Sequence, residues 1–346
     1  MHRSDILPPV TTPGPRTAPP AAGAVRPEQF LDLVAPKLRL VEEELRRHFT
    51  SPVRTVREVG DHILDGGGKR LRPALLLIVS KMLDYRGDLD VMLGAVVEMI
   101  HTASLVHDDI IDNAEIRRGK ASINYGWGNH LTVLVGDYLY IRALDTALDA
   151  KSLEILKTLS VATIRMTEGE ILGRETNGRA DLTREEYFDV IERKTAALFA
   201  ASCRIPGFLA AHPEGDRLGE YGRYLGICFQ LIDDVLDYTS SAQVLGKPVL
   251  SDLREGKITL PLILARDRAS DSERRLIDRV VAERDFGTTD PQELVAIATR
   301  HDTIEETRDI ARGYAARAAE CLQPFPSSMA RQALEYALEF VMARER

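Results

Sequence analysis

Cysteine and tryptophan are scarce in this 346-residue chain, which holds three of the first and one of the second, and aromatics make up only 6%. Cys203, Cys228 and Cys321 are an odd number and show no CxxC spacing. That pattern excludes a disulfide framework and a cysteine-built zinc site, and it suits reduced structural thiols in the cytoplasm. Alternating strand patterns are missing too, which argues against a sandwich or barrel. A basic excess is lacking: the formal net charge is −8, which counts against nucleic acid as a partner. No apolar run reaches the length of a membrane span without a charge or a breaker, and the first residues carry no apolar signal-peptide core. A soluble protein with no transmembrane segment is the expectation.

What is present is 44% hydrophobic and 28% charged sequence, enough to bury a sizeable core. Residues 1–26 are rich in Pro, Ala and Thr, a composition that neither continues a helix nor builds a core. They are expected to form a disordered tail, with a targeting segment as the other reading. From Pro27 the chain reads as helix after helix: the amphipathic PEQFLDLVAPKLRLVEEELRRHF, the more buried RLRPALLLIVSKML, and DVMLGAVVEMIHTASLVHDDIID, apolar or small on nearly every side. Further helices are expected around Leu131–Asp149, Leu153–Leu172, Arg184–Leu209, Glu220–Tyr238, Leu260–Arg268 and Glu273–Glu283, and from Pro291 to the end. The reading is all-α, a single-domain helical bundle over residues 27–346.

The chemistry sits in two repeated clusters. LVHDDIIDNAEIRRGK, Leu105 to Lys120, sets three aspartates within five residues and follows them with two adjacent arginines. FQLIDDVLDYT, Phe229 to Thr239, repeats the pattern Asp-Asp-apolar-apolar-Asp. A solvated helix end would explain either run alone, but a solvated face rarely keeps apolar residues on both sides of its charges. Residues four apart on a helix lie about 40° apart and roughly 6 Å along the axis. Asp108 therefore aligns with Asp112, and Asp233 with Asp237, while Asp109 and Asp234 lie about 100° off that line as outer or bridging carboxylates. Two such helices facing each other gather at least four like charges, and a bound cation resolves their repulsion. Oxygen donors without nearby His or Cys suit Mg²⁺ or Mn²⁺, ions that share their shell with substrate phosphates. Arg117 and Arg118 would then grip phosphate oxygens directly.

Other basic residues stand in suggestive places: Lys69, Arg70 and Arg72 in GGGKRLRP, Lys194 in RKTAAL, Lys247 in LGKP and Lys257 in EGKI. Each alone reads as a surface charge. The glycine cluster is no P-loop, because Lys69 is followed by Arg and no strand precedes it. The two ExxH pairs of the di-iron type are also missing: Glu98-Met-Ile-His101 has that spacing, and no second pair accompanies it.

GGGKRLRP, IHTASLVHDDIIDNAEIRRGK, GDYLY, EGEI, RKTAAL, FQLIDDVLDY, LGKP and DLREGKITLPL stand in the order and spacing of the trans-polyprenyl diphosphate synthases, which the chain resembles from about Gln29 onward. The resemblance implies an isoprenoid-synthase-type helical bundle around a central cavity, usually a homodimer, with the aspartate clusters facing each other. It implies Mg²⁺, about three ions per site with Mn²⁺ as a substitute, on Asp108, Asp112 and Asp233, assisted by Asp109, Asp234 and Asp237. Arg117, Lys194 and Lys247 would hold the allylic diphosphate (dimethylallyl, geranyl, farnesyl or geranylgeranyl). Lys69, Arg72, His101 and Arg118 would hold isopentenyl diphosphate, with Arg70 and Lys257 among the substrate-binding residues. Thr195 and Gln230 would line the reacting carbons. His101 also reads as a core histidine, and Gln230 as a structural hydrogen bonder; GDYLY and EGEI read as packing and interface. After EGEIL many long-chain members carry Gln, where this chain has Gly173 followed by Arg174.

The activity implied is a prenyltransferase that ionises the allylic diphosphate, condenses it with isopentenyl diphosphate and eliminates a proton. Alternatives are a farnesyl or geranylgeranyl synthase, a class I terpene cyclase, and a subunit of a hetero-oligomeric synthase. A cyclase's second motif is usually of the Asn/Asp-Ser/Thr-Glu type, and a regulatory subunit would be expected to lose aspartates. Chain length is expected to follow Ala103 and Ser104, one turn before Asp108, where short-chain members often carry Phe or Tyr. Each isoprene unit is about 5 Å long and a helix of about 20 residues spans about 30 Å, room for roughly six units. A medium- to long-chain product is the expectation, with peripheral membrane association at its release.

Overall fold

The computed structural model describes residues 27–117, 120–239 and 249–344. The Pro- and Ala-rich segment 1–26, Arg118 and Lys247 lie outside the described residues. A 3₁₀ segment, Pro27–Val34, leads into α1 (Ala35–His48), α2 (Arg54–Asp65), α3 (Leu71–Met82) and α4 (Leu89–Ile111). Two short strands follow, β1 (Ile116–Arg117) and β2 (Lys120–Ala121), then α5 (Ile123–Trp127), α6 (Asn129–Leu148), α7 (Leu153–Thr176) and α8 (Arg184–Ile191). A π turn, Glu192–Ala196, joins α8 to α9 (Ala197–Leu209), which precedes α10 (Gly215–Thr239). The rest comprises α11 (Ser251–Arg254), α12 (Leu260–Arg268), α13 (Asp271–Glu283), α14 (Pro291–Arg300), α15 (Thr303–Leu322) and α16 (Met329–Met342).

The architecture is all-α, as the patterning requires. Helices apolar on all sides occupy the middle: α3 is buried from Pro73 to Ser80, and α4 from Leu93 to Ile100. By length and composition α4 could cross a membrane, but most of its apolar stretch is buried among the other helices. α4 packs on α1, α3 and α6, and α10 on α9 and α15. Capping boxes start α8 (Thr183 with Glu186) and α13 (Ser270 with Glu273), satisfying the orphan amides of each first turn. All three cysteines are buried and reduced.

The sequence pattern misses several boundaries. α2 was not expected as a separate helix, and the final helix from Pro291 is three, broken where Asp302 adopts a positive φ of 58° and where Pro324 and Pro326 interrupt the chain. The only sheet among the described residues is the antiparallel ribbon β1–β2, pairing Ile116 with Ala121 and Arg117 with Lys120. It folds Arg117 back toward α4.

The expected helix Arg184–Leu209 is continuous but widened at its middle by the π turn. Gly169 of α7 and Gly226 of α10 press on that turn: a Cβ on Gly169 would lie 2.4 Å from the Lys194 amide nitrogen, and one on Gly226 2.7 Å from Ala196 Cα. Only glycine permits these approaches, and they bring α7, the π turn and α10 close enough to share one cavity. Gly169→Ala should therefore cost about 1–3 kcal/mol, read as a lower urea midpoint at unchanged m-value. Gly313→Ala on α15, where a Cβ meets nothing within 4 Å, should instead stabilise by up to about 1 kcal/mol. Equal effects at the two positions would show that the close approach is not what Gly169 is for.

Candidate active site

Both aspartate clusters fall in the last turns of long helices, α4 and α10, and neither last turn carries a basic residue. A helix C-terminus is the negative end of the peptide dipole, so these carboxylates sit where their charge is least favoured. Cations must come from elsewhere.

Asp108 lines a cavity with Arg72, His101, Ser104, Tyr140, Glu170, Lys194, Thr195 and Gln230. Burial raises its pKa to about 6; Lys194 opposes the shift, and Glu170 and Asp112 add to it. No hydrogen-bond or ion-pair partner stands within reach of Asp108 among the described residues. Asp112, the C-cap of α4, is held by Arg174 and lies 3.5 Å from Lys257. Asp109 points the other way, as its 100° offset requires. It is 2% exposed, pairs with Arg117, and faces a smaller cavity lined by His62, Arg70, Thr102, Lys120 and Ser122.

The second cluster divides differently from the expected alignment. Asp233 is half exposed, and its carboxylate accepts from Arg344 at 3.0 Å. Asp237, one turn on, is 2% exposed. It accepts from the Ser251 amide (3.1 Å), the Ser251 hydroxyl (2.9 Å) and the Asp252 amide (3.2 Å). The chain after α10 returns to start α11 on that side, which buries Asp237 and leaves Asp233 outside. Asp234 is also 2% exposed; Tyr187 donates to one oxygen and the Gln230 amide to the other at 2.8 Å. Burial, reinforced by Asp252, raises the Asp234 pKa well above the ordinary range.

The π turn aims two consecutive side chains into the cavity. Lys194 pairs with Glu170 of α7, and the Thr195 hydroxyl donates to Gln230 Oε1 at 2.8 Å. Thr195, Gln230, Asp234 and Tyr187 thus form one hydrogen-bonded chain. Glu170, Lys194, Thr195 and Gln230 also line the adjoining cavity that reaches Asp252, Lys257 and Thr259. Lys257 is 2.5 Å from Glu255. Its burial works against the charge, but Asp112 and Glu255 more than offset this and hold its pKa above the ordinary lysine value.

Arg72, on the cavity wall, stacks 4.4 Å over Phe199, and Lys69 stands 5.6 Å over Phe340. Arg70 is placed otherwise than expected. Its guanidinium, 8% exposed, is held at 2.6 Å by Glu42 and 2.7 Å by Glu98, a strut joining α1 and α4. Ala103 also differs: it is fully buried in the core, and Ser104, not Ala103, lines the cavity.

Several residues of the cavity escaped the sequence reading. Glu170 and Tyr140 lie in EGEI and GDYLY, read there as packing; burial and the nearby Asp108 push the Tyr140 hydroxyl up to about 12. Tyr187 and Arg344 carried no motif at all. Arg174 was noted only as a departure, and its pairing with Asp112 could not be read from spacing because α4 and α7 are not neighbours in sequence.

Comparison with known proteins shows the family. The polyprenyl synthetase family model matches residues 53–298. The octaprenyl diphosphate synthase of Escherichia coli (strain K12) is 37% identical over 321 residues, 92% of this chain and 99% of the relative. The polyprenyl synthase of Caulobacter crescentus CB15, crystallised with calcium and isoprenyl diphosphate, superposes with a TM-score of 0.88 at 33% identity, covering 95% of this chain and 100% of its own. The decaprenyl diphosphate synthase of Rhodobacter capsulatus gives a TM-score of 0.87 at 35% identity, over 92% and 99% of the two chains. The chain belongs to the polyprenyl synthetase family and is a prenyltransferase.

Proposed function

We propose that this enzyme joins an allylic diphosphate to isopentenyl diphosphate and repeats the step to make a medium- to long-chain all-trans polyprenyl diphosphate. The observation that carries the reading is Asp108, a half-buried carboxylate without an ion-pair partner among the described residues, with Glu170 and Asp112 near it, in a cavity that Arg72, His101 and Lys194 also line. No three His, Cys, Asp or Glu side chains stand together as a ready metal cage among the described residues, but hard oxygen donors that share the ion with water and substrate phosphates suit Mg²⁺. Asp108, Asp112 and Asp233 would hold it directly, with Glu170 now added and Asp109, Asp234 and Asp237 assisting. About three ions per site and Mn²⁺ as a substitute are part of the proposal. When bound, the metal neutralises charge on the departing diphosphate.

The chain's own residues do the rest. Lys194, Arg117 and Lys247 hold the allylic diphosphate, while Lys69, Arg72, His101 and Arg118 hold isopentenyl diphosphate, and Lys257 supports Asp112. The allylic C–O bond breaks and its electron pair leaves with the diphosphate, whose charge meets fixed cations. The double bond of isopentenyl diphosphate forms the new C–C bond, and the proton then lost passes to the departing diphosphate. The Thr195 hydroxyl and Gln230 carbonyl oxygen face the reacting carbons, with Asp234 fixing the Gln230 amide. Leu105, Met166 and Phe229 line the same cavity and exclude water from the cation.

A second copy of the chain is part of the reading. Leu134, Ile141 and Leu148 recur every seven residues along α6 and are exposed, as are Val161, Ile164 and Ile171 on α7. An apolar stripe this long on adjacent helices marks an interface, and we assign it to a homodimer. The reduced thiols suit a cytoplasmic setting, and a polyprenyl product of low solubility suits peripheral contact with a membrane at release.

Label from isopentenyl diphosphate should enter an extractable polyprenyl product only when Mg²⁺ or Mn²⁺ is present. Cyclised hydrocarbon from the allylic substrate alone would move the assignment to a cyclase, and activity only after a second subunit is added would favour the hetero-oligomer. Arg117→Ala should raise KM for the allylic substrate, and Lys69→Ala that for isopentenyl diphosphate, each about ten- to a hundredfold. Asp108→Ala should lower kcat by about a thousandfold or more. Equal and mild effects from all three would sink the residue assignments.

Product length is tested at Ser104. Chromatography of the wild-type product should show chains longer than geranylgeranyl, and Ser104→Tyr should shorten them by filling the cavity beside Asp108. An unchanged length distribution would exclude this wall as the ruler. Ile141→Glu should convert the dimer to monomer in light scattering; a dimer that survives it lies on another face.

A further inference from the structure

We infer that Arg174 is a built-in counter-ion of the metal site: in the free enzyme its guanidinium occupies Asp112 and Glu170, and a divalent cation gains Asp112 only by displacing it. The inference rests on the reading that Asp108, Asp112 and Glu170 face such a cation. Arg174 lies in the last turn of α7, where a positive charge favours the helix dipole without any partner. Its side chain nevertheless takes two carboxylate partners. Nε lies 3.3 Å from Glu170 Oε1 on its own helix, and Nη2 donates to Asp112 on α4.

The neighbouring position makes room for this. Gly173 presents no side chain, and a Cβ there would meet only Val190 Cγ1 at 3.7 Å, so packing does not demand a glycine. The gap between α7 and the end of α4 is bridged by the arginine alone of these two residues. Asp108, on the same helix as Asp112, has no partner among the described residues. An arriving cation therefore meets one open carboxylate and one already neutralised.

The pair is also placed to be exchanged. The Arg174 side chain is 33% exposed and that of Asp112 17%, so water screens the attraction and a doubly charged ion of small radius can replace the guanidinium. Glu170 is held by Arg174 and Lys194 together. Once released from Asp112, the guanidinium stands beside Lys194, within the set of cations proposed to meet the diphosphate. Arg174 thus trades a carboxylate for substrate oxygens.

Binding of Mn²⁺, followed by the paramagnetic resonance signal of the free ion, tests this without turnover. In the absence of diphosphate, Arg174→Gln should bind Mn²⁺ about two- to fivefold more tightly than wild type, and Arg174→Lys should stay near wild type. Adding inorganic diphosphate should shrink the difference, because the anion offers the displaced guanidinium a partner. Circular dichroism and thermal midpoints near wild type are expected for both variants, Arg174 being one-third exposed. Unchanged or weaker Mn²⁺ binding by Arg174→Gln, or an Arg174→Lys that behaves like it, overturns the inference; loss of binding in Asp108→Ala would then leave the metal site itself standing. Should Asp108→Ala bind Mn²⁺ like wild type, the metal reading falls and this inference with it.

Discussion

Carboxylates gathered at the negative ends of two helices are the constraint from which the rest of this structure follows. Asp108, Asp109 and Asp112 end α4, and Asp233, Asp234 and Asp237 end α10, each among apolar residues that lower the local dielectric. A helix tip of that kind is tolerable only if opposite charge or hydrogen-bond donors arrive from other elements. The fold supplies them one by one: Arg117 from the ribbon, Arg174 from α7, Lys257 from beyond α11, Arg344 from the end of α16, and backbone amides of α11 for Asp237. Asp108 is the carboxylate left over, and the rise of its pKa to about 6 records the cost.

Placing those donors depends on backbone approach rather than on side-chain choice. The π turn adds a residue to one helical turn and so points Lys194 and Thr195 into the cavity together, a use of such turns that is common at functional sites. Gly169 and Gly226 let α7 and α10 close on it from two sides. The hydrogen-bonded chain from Thr195 through Gln230 to Asp234 then follows, because those residues are held at fixed separations by packed backbone.

Much of this was legible in the residues. Helical periodicity gives the all-α class, and the i, i+4 spacing separates Asp108 from Asp109, which line different cavities. The same spacing misleads at Asp233 and Asp237, because what buries Asp237 is the start of α11, a contact from another part of the chain. Arg70 follows the same logic: within GGGKRLRP it looks like a phosphate ligand, and only the folded positions of Glu42 and Glu98 turn it into a strut. Ala103 and Ser104 are adjacent in sequence, yet helical rotation sends one into the core and the other to the cavity wall. Local pattern reads faces; it does not read which distant element will cover them.

The pairing of charges in the free protein bears on how substrate and metal would enter together. Arg117 with Asp109, Arg174 and Lys257 with Asp112, Lys194 with Glu170 and Arg344 with Asp233 leave the ring close to neutral. A diphosphate placed in such a ring competes with the carboxylates for the same cations, and every cation it wins frees an aspartate or glutamate. Freed carboxylates in an apolar wall are costly, and a divalent ion is what restores their balance. Anion and metal therefore each make room for the other, the first by taking the basic side chains and the second by taking the acidic ones. Under the proposed function, the two kinds of charge stand so close together that metal and anion can exchange partners with them.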